Sequence, residues 1–267
     1  MVSGRNRLQA LKLGQSILVA GSRNQVTHLH NATERSKTFY REGFWDEGKV
    51  PHRRWVIDMV RRHSTLILDR NGHLKSVLKF ASLPGAFCAE TKWYMENDRF
   101  FEPSQLLAID YNASIGSGFI DPQTASEIGI PSSNIFTDKA LIYQLRSLQA
   151  IHSIAIINAD TTRSLTESCI RNDLAFLVDN LKYCAEKVGE AFLFFNVIYD
   201  IARSKVILPQ AERLYGDLES GKLVRQLFHP NDFPGKNIED ILLREHLTYR
   251  GHSSGTQMLC FCMRLVK

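Results

Sequence analysis

Three aspartates each stand at the end of a largely apolar run: Asp110 ends Leu106–Asp110, Asp160 follows Ile151–Asn158, and Asp138 stands just beyond Asn134–Phe136. A fourth run, Val77 to Ala81, leads into the turn Ser82-Leu83-Pro84-Gly85. A Pro-Gly turn lets backbone approach a bound molecule closely, because glycine has no Cβ. An acid ending the next strand is suited to accept hydrogen bonds from a ribose diol. Simpler roles fit the same residues. The turn can be an ordinary strand-to-helix connection, and Asp110 or Asp138 can cap a helix or turn. Asp160, followed by Thr161 and Thr162, can likewise cap a turn, although its place at the end of a central strand favours a site role.

Two further groups belong to this inventory. Asn196 interrupts the apolar run Ala191–Tyr199, and a buried amide needs partners, either structural or within a pocket. Arg53, Arg54, Arg61 and Arg62 crowd one segment together with Trp55, which suits either a solvated helix face or contact with RNA phosphates. His246, Tyr249 and His252 gather ahead of the last apolar run. Gly116-Ser117-Gly118 lacks the Lys-Ser/Thr of a phosphate-binding P-loop and reads as a turn.

Apolar, non-alternating strands separated by helical patterns are what would hold these residues together. Trp55, Met59, Val60 and His63 recur at helical spacing after Pro51, a residue suited to a helix start. Strands are expected at Ser76–Ala81, Leu106–Asp110, Asn134–Phe136, Ile151–Asn158, Ala191–Tyr199 and Met258–Val266. Helices are expected at Ala86–Asn97, from Lys139 to Leu148, and at Cys169–Lys187. The last has Leu174, Leu177, Val178, Leu181 and Cys184 on one face. This alternation predicts an α/β, Rossmann-like, doubly wound and mostly parallel sheet with an antiparallel last strand. Its ligand crevice lies at the carboxyl ends of the strands.

The composition agrees. The chain has 267 residues, 44% hydrophobic and 23% charged, with a net charge of +5 that permits a nucleic-acid partner without requiring one. No apolar run approaches the roughly 20 residues of a membrane helix. A soluble, cytoplasmic protein with no membrane partner is expected. The five cysteines form no CxxC pair, which fits a reducing compartment and argues against structural zinc. Residues 1 to about 50 read as a partly mobile arm bearing Arg5, Arg7, Lys12 and Arg23, with residues 51–267 as the domain.

The stretch Val77 to Phe87 (VLKFASLPGAF) resembles the first motif of class I S-adenosylmethionine-dependent methyltransferases. Among these, it is most similar to the FtsJ-like ribose 2′-O-methyltransferases and the viral cap methyltransferases. Asn158-Ala159-Asp160 is similar to the family's fourth motif, and Ser253 to Cys262 to its last strand. The resemblance implies S-adenosylmethionine as cofactor, held by Ser82, Leu83, Pro84, Gly85, Asp110 and Asp138. It also implies an RNA substrate, with Asp160 as the aspartate of a Lys-Asp-Lys-Glu tetrad. The match departs from the family in several places. Asn196 stands where the second lysine belongs, and Gly255 and Thr256 where the glutamate belongs. No lysine suggests itself as the first between Arg53 and Arg62. Lys79 stands at an acidic position, where a cation would oppose a sulfonium. The implied function is a methyltransferase acting on RNA with Asp160 and Asn196 at the catalytic position. The alternative is an inactive scaffold or nucleic-acid-binding module.

Overall fold

The computed structural model describes residues 49–84, 88–110, 120, 122–139, 141–164, 166, 169–198, 213–217, 220, 222–227, 242–250 and 257–267. The arm at 1–48, Gly85, the 116–118 turn, His252, Gly255 and Thr256 lie outside them.

The first described helix, α1 (Val50–His63), opens with Pro51 in its first turn and ends with Arg61, Arg62 and His63, placing cations at the negative end of the helix dipole. Then follow β1 (Lys79–Ser82), α2 (Ala89–Asn97), β2 (Leu106–Ile109), α3 (Pro122–Ile128), β3 (Ile135–Phe136) and α4 (Leu141–Ile151). β4 (Ile154–Ser164), a π-helical turn (Cys169–Leu174), α5 (Ala175–Val188) and β5 (Glu190–Ile198) continue the alternation. Short α6 (Lys222–Leu227), then β6 (Leu242–Arg250) and β7 (Gln257–Val266), complete it.

One seven-stranded sheet runs in the order β3-β2-β1-β4-β5-β7-β6. β1 to β5 are mutually parallel, and β7 inserts antiparallel between β5 and β6. The Rossmann-like, doubly wound expectation holds, including the antiparallel last strand. Several boundaries shift. Ile151 belongs to α4 rather than to the following strand, β1 starts at Lys79 instead of Ser76, β4 runs past Asn158 to Ser164, and β6 is a strand the sequence reading did not include.

The sheet separates two apolar layers. Leu107, Ile109, Ile157, Leu193, Phe195 and Val197 face α4 and α5. Phe80, Ala108, Ile156, Phe192, Phe194, Cys260 and Cys262 face the layer that contains α1 and α2. The two thiols of Cys260-Phe261-Cys262 share that face, as alternation along a strand requires.

Glu190 and Gly189 fix the start of β5. The fully buried Glu190 accepts from the backbone N–H of Leu66 (2.7 Å) and Thr65, from Ser64 Oγ (2.9 Å) and from Arg264 Nε (2.7 Å). Burial would raise this carboxyl, but these donors hold it below its usual range. Gly189, just past α5, adopts φ +88°, the left-handed geometry that ends many helices on glycine.

Candidate active site

The strand order reverses between β1 and β4, and in parallel sheets ligands bind at the carboxyl ends beside such a switch point. On the α1/α2 face, each strand carries large apolar side chains deep in the layer and then turns polar at this end. Phe80 gives way to Ser82, Ile156 to Asn158, and Phe194 to Asn196, each two residues further along the same face. Ser82, Asn158 and Asn196 are buried, at 1%, 0% and 0% exposure. Polar groups in such a place need partners, and the elements around them supply these.

Glu90, in the first turn of α2, accepts from Asn158 Nδ2 at 2.6 Å and from Ser82 Oγ at 3.3 Å. Asn196 Nδ2 donates to Nε2 of His52 in α1 at 3.1 Å. The Tyr249 hydroxyl of β6 lies 3.4 Å from Asn196 Oδ1, and its ring stacks on His52 with centroids 5.2 Å apart. Asp160 pairs with β5 at Asn196 in the sheet register. Its carboxylate takes a short ion pair and hydrogen bond from Lys49, the residue before α1.

The electrostatics follow from burial. Burial alone would raise the Asp160 carboxyl, but Lys49, His52 and Arg53 hold it below the usual carboxylate range. Burial lowers His52 to about 4, with Asp160 opposing and Lys49 and Arg53 adding. Its imidazole is neutral at physiological pH and receives the Asn196 amide on the Nε2 lone pair. Burial, together with Asp160 and Glu90, raises the Tyr249 phenol, so its hydroxyl stays a donor.

The residues singled out in the sequence distribute as follows. Ser82, Pro84, Asp160 and Asn196 come to the switch point, Leu83 packs against the apolar layer behind it, and Asp110 ends β2 half-buried. The Asp110 N–H donates to Phe136 O at 3.0 Å, tying β2 to β3. Asp138 is exposed beyond β3.

The four arginines do not form one surface. Arg53 turns inward at 1% exposure, whereas Arg54 and Arg62 face solvent. Arg61 forks onto Asp98 (3.0 and 2.5 Å) and reaches Gly72 O. Arg53 therefore belongs to the polar cluster rather than to a phosphate-contacting face, because its helix position points at the sheet.

Lys79 is also relocated. It starts β1 at the end of the strand away from the crevice, and its ammonium donates to Ser104 O at 2.6 Å. Three residues of the cluster, Lys49, His52 and Glu90, carried no usable sequence signal, whereas Tyr249 belongs to the group His246, Tyr249 and His252 that stands ahead of the last apolar run. Lys49 lies four positions before Arg53, and its pairing with Asp160 spans 111 residues of sequence.

No family model matches this chain, and no curated protein does. Among solved structures it is similar to the 16S rRNA (adenine(1408)-N(1))-methyltransferase from Catenulisporales acidiphilia. That structure, an alanine mutant with cosubstrate SAM, is 9% identical over 79% of this chain and 90% of that one, at a TM-score of 0.34. A second structure of the same mutant is also 9% identical over 79% and 90% of the two chains, at 0.33. An antibiotic-related methyltransferase is 13% identical over 76% and 97% of the two chains, at 0.30. Superpositions this loose do not define a common fold. The fold assignment rests on the strand order and directions.

Proposed function

We propose that this protein is an S-adenosylmethionine-dependent methyltransferase acting on RNA, with a ribose hydroxyl of the cap type as acceptor. The observation that carries the reading is the Lys49–Asp160 pair at the carboxyl end of β4, beside the switch point of a sheet with an antiparallel β7. It supplies the lysine that the sequence resemblance lacked, next to the aspartate that the resemblance implied.

The residues fit such a cofactor. A cationic sulfonium calls for nearby negative charge, and Glu90 and Asp160 are the carboxyl groups brought to this end of β1 and β4. Ser82, Leu83, Pro84 and Gly85 would form the turn against the cofactor, Asp110 would hold its ribose, and Asp138 would face the adenine. When bound, S-adenosylmethionine supplies an electrophilic methyl group. Lys49 keeps Asp160 ionised and oriented. Asp160 then accepts the hydrogen bond of the attacking hydroxyl, and its proton as that oxygen becomes acidic during transfer. Asn196 has no titratable group and orients only. Arg54 and Arg62 would meet the phosphate backbone.

Asn196 in place of a second lysine also favours another reading, an inactive methyltransferase-like scaffold that binds nucleic acid. Calorimetric titration of S-adenosylmethionine separates the two, with tritiated methyl transfer to capped and uncapped RNA as the second step. Micromolar binding lost in Asp110→Ala, together with label on ribose, supports the enzyme. Absence of binding at millimolar ligand overturns it in favour of the scaffold.

A further inference from the structure

Glu90 has a place that no motif assigned to it. It sits in the first turn of α2, the next described helix after β1, and is 6% exposed. One of its oxygens, Oε1, bridges the two strands that flank the switch point, through Ser82 Oγ on β1 and Asn158 Nδ2 on β4. A carboxyl group in this position is costly unless something offsets its charge. Burial, followed by Asp160, raises it above its usual range, while Arg53, Lys49 and the Asn158 hydrogen bond lower it. Tyr94 on the same helix, Tyr249 on β6 and Cys260 on β7 face the same group, each with burial as the main cause of its raised value. These three are neutral at physiological pH, so among the described residues Lys49, Arg53 and Asp160 are the charges around it.

Resting on the reading of the crevice as a S-adenosylmethionine site, we propose that Glu90 is the counter-charge for the sulfonium and so discriminates substrate from product. The acid absent at position 79 is supplied in space from α2. The geometry supports this in two ways. Lys79 itself is held at the far end of β1 by Ser104 O (2.6 Å), leaving the crevice end of that strand free of its charge. The Glu90 carboxyl is fixed by two strands, so its charge is pre-positioned instead of recruited. S-adenosylmethionine and S-adenosylhomocysteine carry the same ammonium and carboxylate and differ by the methyl and the sulfonium charge. The ratio of their affinities therefore isolates the charge that Glu90 would meet.

The experiment measures both dissociation constants by calorimetry for the wild type and Glu90→Gln, an isosteric change that keeps the oxygen facing Ser82 and Asn158. The expected result is a loss of roughly tenfold in S-adenosylmethionine affinity, the order of one partly desolvated charge pair, with S-adenosylhomocysteine little changed. Equal losses for both ligands, or none, overturn the proposal while leaving the crevice intact. Failure of both ligands to bind the wild type overturns the crevice reading, and this proposal with it. If Glu90→Gln melts early, the wild type decides alone. Its preference for the sulfonium should fall as pH drops through the raised Glu90 value, before Asp160, whose value is held low, begins to protonate. A preference constant over that range overturns the proposal.

Discussion

Lys49 reaches Asp160 across 111 residues of sequence and closes the carboxyl end of β4 from the start of α1. The Asp160 side chain is 6% exposed and that of Lys49 24%, so the acid is the partner that depends on the pair. Removing one member of a buried pair leaves the other charge uncompensated. Lys49→Met is expected to cost about 2 to 4 kcal/mol, discounted for the partial exposure of the ammonium, and, under the proposed function, to reduce methyl transfer at least about tenfold. Thermal melting and a tritium-transfer assay check the two parts separately. An unchanged melting temperature would show that the pair is not structural.

His52 makes the fold acid-sensitive in a defined window. Above pH 6.5 the imidazole is neutral in both folded and unfolded chains, and it contributes no pH dependence. Below 6.5 the unfolded chain takes up a proton that the folded one refuses until about pH 4, so stability falls across that interval. The difference amounts to about 3 kcal/mol at most. Urea denaturation of wild type and His52→Gln between pH 7 and pH 4 is expected to show a shallower slope in the variant. Equal slopes would count against this burial.

Glu190 acts at still lower pH. Its folded value is depressed, so its stabilisation is present above the unfolded value near 4.5 and is lost as pH falls through the folded one. Glu190→Gln keeps the shape but weakens the donors converging on it, Arg264 among them. A loss of about 2 to 3 kcal/mol at pH 7 is expected, narrowing toward zero in acid, as read by denaturant midpoints.

At Gly189 the backbone itself sets the outcome. A Cβ there would stand 3.2 Å from Leu66 Cδ1 at a φ of +88°. Gly189→Ala is expected to destabilise by about 1 to 2 kcal/mol without altering ligand binding, since the site lies at the other end of the sheet.

The basic segment divides by burial. Under the proposed function, Arg54→Ala with Arg62→Ala is expected to weaken RNA binding and flatten its salt dependence while leaving the melting temperature unchanged. Arg53→Ala is expected to lower the melting temperature, because Arg53 is buried near Glu90 and Asp160. Filter binding at several salt concentrations, alongside melting curves, distinguishes the two.

The sequence by itself determined most of the sheet. β2, β4, β5 and β7 are apolar runs buried on both faces, a pattern that parallel packing requires and solvent exposure forbids. β6 escaped notice because it is an edge strand, and Leu242–Arg250 mixes charge and polarity as edges do. Asp160 and Asn196 were legible as polar interruptions of apolar strands. Only the tertiary structure decided their partners. Lys49 follows a glycine and an acid and resembles any surface cation, Glu90 resembles any helix-start acid, and Tyr249 sits in a charged stretch. Local pattern encodes which face a side chain shares with its sequence neighbours. It carries no record of which distant element will fold over that face, and at this switch point that choice, made by α1, α2 and β6, set the charge of the site.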